Sequence, residues 1–573
     1  MSNIQPAKSL AAQLQLSVQK FPSKVSHMVP SGKEFKSFTY SEFEQLVFER
    51  AQAIQALGAE RGDRVAIIGE TSFDWALADW ACQMLGITSV PIYPTLPPDQ
   101  AQYIANDAQV KFALCSDKKQ ASKLECPTYV WNEGEGDFYP AYASGSTLTR
   151  EQITQLAEDI QPSDLATLIY TSGTTGQPKG VMLTQLNFTH MNAHVTESLP
   201  LSESDIFLSW LPLAHVFERY AGHFVPVSLG ATIAYANGLT TIGSDMAKVK
   251  PTVVLCVPRF LESMRAKILD GVAKAPPIRQ KLFHLALSQG TAKNQGKPAP
   301  LAGLLDKIVG SKIRERTGGS LRFFVSGGAA LPPHTSEFFR ALNVEVLQGY
   351  GLTETTAASS VNLPGANKPW TVGRPISGVE MTIAKDGEIL IRGNSVMAGY
   401  YNLPEATKEA IDAEGWFHTG DIGEWEGEFI KITDRKKDLL ILGNGKNVAP
   451  QPVENKLKES EFIAEAMLLG DGMEHCVALI IPEFDRIQTW LKSQGITETD
   501  TAKIVEREDV RNLIRAEIEK TNKTVADYER VRRHVLVPKA FSVDDGELTP
   551  SMKVRRKVVK EKYADLIDSM RKK

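Results

Sequence analysis

Eleven residues, Tyr170-Thr-Ser-Gly-Thr-Thr-Gly-Gln-Pro-Lys-Gly180, constrain this chain more than any other stretch. They follow an apolar run at 165–170 that reads as a buried strand, and they precede a second run at 181–184. Three glycines and four Ser/Thr hydroxyls crowd into the stretch, with one lysine near its end. Gly173, Gly176 and Gly180 let backbone N–H groups converge on an anion. Thr171, Ser172, Thr174 and Thr175 add hydroxyl donors, and Lys179 adds a compact positive charge. Such a loop is a phosphate cradle. It is not the common P-loop, because Lys179 is followed by Gly180 and the glycine spacing differs. The plainer reading, a flexible Gly/Thr-rich hairpin, is disfavoured by a motif of this length.

The surrounding chain alternates strand and helix. Ser41-Glu-Phe-Glu44 reads as a capping box opening a helix that Gly58 closes. Apolar runs at 64–69, 87–93 and 110–115 read as strands, and 72–85 as an amphipathic helix. This alternation predicts parallel α/β layers. Residues 125–161, rich in Gly, Tyr and Ser, read as a surface excursion. After the loop, 206–212 leads into 213–219; further strands are expected at 231–236, 253–257 and 321–325, and a helical insertion at 275–319 with a loose linker at 290–303. Antiparallel strands at 383–393 and 427–432 suggest a small barrel or sheet. Beyond residue 438 the pattern becomes short α+β, with strands at 439–442, 466–469, 477–481 and 534–537.

A chain of 573 residues is too long for one core. Its 42% hydrophobic and 23% charged composition is that of a soluble globular protein, and a net charge of -4 gives no nucleic-acid signal. Five scattered cysteines without a C-x-x-C pair suit a reduced cytoplasmic protein. No signal-peptide pattern opens the sequence. No apolar stretch approaches the ~18 residues needed to span a bilayer, so membrane association is expected to be peripheral. Residues 551–573 carry nine Lys/Arg against three Asp/Glu, a basic tail suited to solvent or to anionic lipid.

Six further motifs bear on function. Ser326-Gly-Gly-Ala-Ala330 ends a strand with glycines, which brings backbone close to a flat ligand. Gln348-Gly-Tyr-Gly-Leu-Thr-Glu-Thr355 places a ring, a hydroxyl and a carboxylate within five residues. Trp416-Phe-His-Thr-Gly-Asp421, Ile432-Thr-Asp-Arg-Lys-Lys-Asp438, Leu211-Pro-Leu-Ala-His-Val-Phe-Glu-Arg219 and Leu548-Thr-Pro-Ser-Met-Lys-Val-Arg-Arg-Lys557 complete the set. Taken singly, Asp421 is turn chemistry, Arg435 a solvated charge and His215 a satisfied core side chain.

Together, and in this order, these motifs resemble the adenylate-forming enzymes: acyl- and aryl-CoA synthetases, peptide-synthetase adenylation domains and firefly luciferase. The run at 211–219 resembles long-chain fatty acyl-CoA synthetases most. The resemblance implies an α/β fold. A large N-terminal domain of layered α/β sheets with a small barrel-like part (1–433) would be joined by a hinge (434–438) to a smaller mobile α+β domain (439–573). It implies that Thr171, Ser172, Gly173, Thr174, Thr175, Gly176 and Lys179 hold ATP phosphates. Gly327, Gly328, Ala329, Gln348, Gly349, Tyr350 and Gly351 would line the nucleotide, with Tyr350 stacking on adenine. Thr353 would contact the α-phosphate, and Glu354, with Thr171, would hold Mg²⁺. Asp421 and Arg435 would bind the ribose. His215 would lie by the acyl carboxylate, Lys553 would be the catalytic lysine, and Lys437 the hinge residue. Met552 stands where the family usually has glycine, as in the long-chain branch. The implied reaction joins a medium- to long-chain fatty acid to coenzyme A through acyl-AMP, with an aryl or carrier-protein ligase and a non-catalytic homologue as alternatives. Fatty acid, ATP and CoA would be the partners, in the cytoplasm or at the inner membrane face.

Overall fold

The computed structural model describes residues 4, 7–131, 145–171, 177–542, 545–548 and 554–571. The chain divides into two compact units. The first comprises Met1–Thr382, Leu390–His418 and Glu428–Ile430; the second comprises Ile383–Ile389, Thr419–Gly427 and Lys431–Lys573.

Two sheets organise the first unit. One has seven strands in the spatial order Gly399–Tyr400, Lys179–Thr184, Leu165–Thr171, Thr88–Ile92, Arg64–Ile68, Phe112–Cys115, Thr128–Val130. Its last five strands run parallel, and the first two pairings are antiparallel. The other sheet has nine strands, parallel from Glu345–Tyr350 through Phe323–Ser326, Val253–Cys256, Ile206–Ser209 and Thr232–Tyr235 to Val25–Ser31. Thr88–Ile92, Val253–Cys256 and Phe323–Ser326 are buried at every position. That is why Val253–Cys256 reads as an unbroken apolar run rather than an alternating one. The helix Phe73–Leu85 is capped by the Ser72 hydroxyl, which accepts from the Trp75 N–H, and is closed by left-handed Gly86.

Three local expectations need correction. The helix after Ser37 spans Tyr40–Ala56, and its capping box is Thr39 with Glu42, not Ser41 with Glu44. Tyr40 is fully buried and donates to the Ala231 carbonyl at 2.7 Å, which draws it into the first turn. Residues 125–161 are not wholly a surface excursion, since Thr128–Val130 pairs with Phe112–Cys115 and Arg150–Asp159 forms a box-capped helix. The linker expected to begin at Gly290 begins later, because the helix Pro277–Asn294 runs through that glycine. A Cβ there would lie 2.0 Å from the Ala341 carbonyl oxygen, so glycine permits the close packing.

A buried ion pair ties the first unit's elements together. Arg219, in the π-helical turn Arg219–Phe224, donates to both Asp79 oxygens at 2.8 and 2.5 Å, to Thr167 Oγ1 at 2.6 Å and to Ser89 Oγ at 2.6 Å. Both charged side chains are wholly buried. Burial alone would raise the Asp79 carboxyl; Arg219 and His223 outweigh it and hold that carboxyl well below its usual range. Neighbouring Glu218 has no such cation. Its Oε1 accepts from Ser209 Oγ at 2.6 Å, and burial pushes its pKa up to about 8. Gly222 leaves room for this carboxyl, since a Cβ there would sit 2.5 Å from Oε1.

In the second unit, Ile463–Leu469 pairs antiparallel with Cys476–Pro482, which pairs parallel with Val531–Leu536. Pro450–Leu457 and Glu508–Asn522 contribute Val453, Leu457, Ile514 and Ile518 to a core shared with that sheet. Where a small antiparallel region was expected, the chain forms the strands Glu380–Ile383, Glu388–Arg392, Phe417–Glu426 and Phe429–Arg435. No described helix is long and apolar enough to cross a membrane.

The buried Glu218 gives stability a definite pH dependence. Unfolded glutamate ionises near pH ~4.3, whereas the folded side chain keeps its proton to about 8. Between those values the folded state binds more protons, so stability falls as pH rises. Chemical unfolding of wild type and Glu218→Gln at pH 5 and pH 8 measures this. The variant should lose less stability over that interval; equal losses would mean that Glu218 is ionised in the fold.

Candidate active site

The glycine-rich stretch is held at both ends by a hairpin. Leu165–Thr171 pairs antiparallel with Lys179–Thr184, with Thr171 opposite Lys179. Ser172, Gly173, Thr174, Thr175 and Gly176 lie outside the described residues. Tyr170 fixes one side: its hydroxyl donates to Asp107 Oδ2 at 2.5 Å, and its ring lies against Gly180, where a Cβ would come within 3.0 Å.

A third, two-residue strand completes this corner. Gly399–Tyr400 pairs antiparallel with Lys179–Thr184, Gly399 opposite Met182 and Tyr400 opposite Val181. Flanking bonds from Ala398 N–H to the Met182 carbonyl and from Tyr401 N–H to the Gly180 carbonyl lock the register at 3.0 and 2.8 Å. This pairing places the Tyr400 ring 4.8 Å from Lys179 Nζ, a cation–π distance. The Tyr400 hydroxyl donates to Glu354 Oε1 at 2.9 Å. Burial, followed by the adjacent Glu354 carboxylate, raises the phenol well above its ordinary range and keeps it a donor. Lys179 and Glu354, 175 positions apart in sequence, thus meet on one aromatic side chain.

Glu354 sits in the 3₁₀ turn Thr353–Thr355 just beyond the strand Glu345–Tyr350. The turn is strained. Thr356 and Ala357 have φ of 55° and 70° although neither is glycine, a conformation that costs roughly 1–2 kcal/mol per residue. Compensating bonds hold it: Thr356 Oγ1 donates to the Ser395 carbonyl at 2.7 Å, and Ser359 N–H to the Tyr350 carbonyl at 2.7 Å. Gly351 is required here, since a Cβ would lie 2.2 Å from the Ala357 carbonyl oxygen.

The adjacent strand Phe323–Ser326 places Ser326 opposite Gln348. Gly327, Gly328 and Ala329 therefore follow one strand while Gly349, Tyr350 and Gly351 end its parallel neighbour, the usual location of ligands in α/β sheets. Phe217 packs on Gly327, where a Cβ would meet its ring at 3.1 Å. The Phe217 N–H donates to His215 Nδ1 at 3.1 Å, and His215 N-caps the short helix Val216–Glu218. With Nδ1 accepting, the neutral ring carries its proton on Nε2.

In the second unit Arg435 Nε lies 3.1 Å from Asp421 Oδ1, so this predicted pair is also brought together. Lys437 follows the strand Phe429–Arg435 in a turn closed by Asp438 N–H to the Arg435 carbonyl at 2.9 Å. Beside it, burial pushes the Asp434 carboxyl up to about 7 although it accepts from the Arg435 N–H at 2.6 Å. Lys553 lies outside the described residues.

A profile of the AMP-binding enzyme family matches residues 14–401, and one of the AMP-binding enzyme C-terminal domain matches 437–573. The chain belongs to the AMP-binding enzyme family. This AMP-binding enzyme is 32% identical over 554 residues to a long-chain-fatty-acid–CoA ligase, FadD15, of Mycobacterium bovis, covering 93% of this chain and 92% of that one. It is 31% identical over 580 residues to the peroxisomal long chain acyl-CoA synthetase 6 of Arabidopsis thaliana, covering 94% and 82%. The fold is shared with ATP-bound MatB from Rhodopseudomonas palustris (TM-score 0.74, 22% identity, 98% and 99% coverage). It is also shared with the o-succinylbenzoate CoA synthetase of Bacillus subtilis in complex with its acyl-adenylate (TM-score 0.69, 21% identity, 96% and 97% coverage). The family is one of ATP-dependent, adenylate-forming CoA ligases that use Mg²⁺.

The donor set suits that chemistry. Mg²⁺ prefers a carboxylate and phosphate oxygens, and Tyr400 brings the Glu354 carboxylate and the Lys179 ammonium to one corner. Sequence reading missed Tyr400, Phe217 and the buried Arg219–Asp79 pair. Of these only Arg219 left a trace, as a charge embedded in an apolar run.

The turn geometry sets a mutational contrast. Gly351→Ala must displace the Ala357 carbonyl, and should cost about 1–3 kcal/mol of stability together with most adenylation activity. Gly349→Ala meets its nearest atom at 3.4 Å, an ordinary contact, and should cost less of both. Thermal unfolding and pyrophosphate exchange on the two variants check this; equal effects would contradict the role given to Gly351.

Proposed function

We propose that this AMP-binding enzyme activates medium- to long-chain fatty acids to acyl-CoA. A carboxylate oxygen of the fatty acid attacks the α-phosphorus of ATP and pyrophosphate leaves, giving acyl-AMP. The CoA thiol then attacks the acyl carbonyl and AMP leaves. The observation that carries the adenylation chemistry is the meeting of Lys179 and Glu354 on Tyr400. The long-chain reading rests on the run at 211–219 and on relatives named as long-chain enzymes over nearly their whole length.

In this reading the 171–176 loop and Lys179 hold the phosphates, and Thr353 contacts the α-phosphate. Glu354 and Thr171 hold Mg²⁺, which when bound neutralises charge on the phosphate oxygens. Tyr350 stacks on adenine beside Gly327, Gly328, Ala329, Gln348 and Gly349, while Asp421 and Arg435 take the ribose hydroxyls. His215 faces the acyl carboxylate from the edge of an apolar site. Lys553 offsets the negative charge that grows between carboxylate and α-phosphate. Residues 434–438 are the hinge between an N-terminal domain, 1–433, and a C-terminal domain, 439–573. Turning about Lys437 withdraws Lys553 and presents the 443–448 loop for thioester formation. The enzyme works in the cytoplasm and at the inner face of the membrane.

One experiment tests the chain-length and catalytic claims together. An apolar site discriminates by roughly 0.8 kcal/mol per buried methylene, so palmitate should exceed acetate in kcat/KM by several orders of magnitude, with acyl-CoA as product. Lys553→Ala should lose about 10²–10³ in acyl-AMP formation yet still convert supplied acyl-AMP and CoA to thioester. Comparable kcat/KM for the two acids would refute the long-chain reading. Equal loss of both half-reactions would refute the role of Lys553.

A further inference from the structure

Residues 274–316 carry nine Lys/Arg against two Asp/Glu, in a chain whose net charge is -4. The rest of the molecule is therefore acidic on balance, and this excursion, like the tail at 551–573, concentrates positive charge. Its main helix, Pro277–Asn294, anchors itself through Phe283 and Ala286, both buried, with the Phe283 ring 6.3 Å from that of Phe338. Leu305 is likewise buried in the following turn.

The opposite stripes are apolar as well, and they face water. Ile278 and Leu285, seven positions apart and hence on one side of the helix, are 74% and 40% exposed. Leu301, Leu304 and Ile308 recur at helical spacing on the next segment and are 44%, 58% and 41% exposed. Lys281, Lys297, Lys307 and Lys312 stand exposed among them. A surface helix normally presents polar residues there.

The charge decides what covers this face. A second copy of the chain packed on it about a twofold axis would set the same lysines against each other. An anionic bilayer accepts both features at once. Leu and Ile side chains sink into the boundary between headgroups and acyl chains, while lysine stems lie along apolar surface and carry their ammonium groups to lipid phosphates. We propose that the outward face of residues 277–312 docks on an anionic membrane surface. The inference rests on the fatty-acid reading, since a docked enzyme takes its acyl substrate from the bilayer in which such acids partition.

The test uses the full-length enzyme and no catalysis, so its failure is distinct from failure of the proposed reaction. Co-sedimentation is measured with vesicles of phosphatidylcholine containing phosphatidylglycerol and with vesicles of phosphatidylcholine alone. Wild type should bind the first far better than the second and be released by added salt. Each basic side chain at such a surface contributes on the order of fivefold in affinity, so Lys281→Glu/Lys297→Glu should weaken binding at least tenfold. Leu285→Ser/Leu304→Ser should weaken it comparably, while Lys572→Gln/Lys573→Gln in the basic tail should leave it near wild type. Unchanged unfolding midpoints should accompany both insertion variants. Binding lost with the tail variant and kept by the insertion variants would overturn the proposal. So would equal binding to the two vesicle types, or a concentration-dependent dimer that Leu285→Ser/Leu304→Ser abolishes without vesicle binding by wild type.

Discussion

Two residues of strand, Gly399–Tyr400, pair with Lys179–Thr184, and the candidate active corner depends on that pairing. Without it the hairpin bearing Lys179 would end as a sheet edge. Because Tyr400 stands opposite Val181, its ring is carried beneath the Lys179 ammonium and its hydroxyl reaches Glu354. Register matters here for an elementary reason: a slip of one residue would turn Tyr400 to the other face of the sheet. The bonds from Ala398 and Tyr401 on either side prevent that slip.

The carboxylate end of this arrangement is strained, and the strain has identifiable supports. Thr356 and Ala357 occupy left-handed backbone, which turns the chain sharply after Glu354. Gly351 supplies the missing Cβ that the turn needs, and Ser395 and Tyr350 accept the bonds that hold it. Backbone strain of this kind clusters where positioning outweighs stability. Beside His215, Arg219 performs the anchoring. It follows His215 by four residues in a turn whose backbone N–H returns to the His215 carbonyl at 3.1 Å, and its guanidinium is buried against Asp79.

Much of this could be read from the sequence, and the exceptions share one cause. Buried strands such as Arg64–Ile68 and Phe323–Ser326 announce themselves because both faces are covered, and Ser72 and Gly86 mark a helix by local chemistry alone. Glu354 and Lys179 stood out as chemically dense motifs. Tyr400 did not, because its strand is two residues long and its partner lies more than two hundred residues earlier. Arg219 left only a trace for the same reason: what makes a buried guanidinium tolerable is Asp79, 140 positions away. The capping box failed differently. Thr39…Glu42 and Ser41…Glu44 both fit the local pattern, and only the burial of Tyr40 against Ala231 chooses between them.

The account turns on Tyr400 acting through Glu354, and a double-mutant cycle measures that link. Rates of ATP–pyrophosphate exchange are taken against Mg²⁺ concentration for wild type, Tyr400→Phe, Glu354→Gln and the double variant. Tyr400→Phe and Glu354→Gln should each raise the Mg²⁺ requirement. The double variant should be little worse than Glu354→Gln alone, a coupling of about 1 kcal/mol or more. Strictly additive losses, or a Tyr400→Phe enzyme with an unchanged Mg²⁺ requirement, would contradict it.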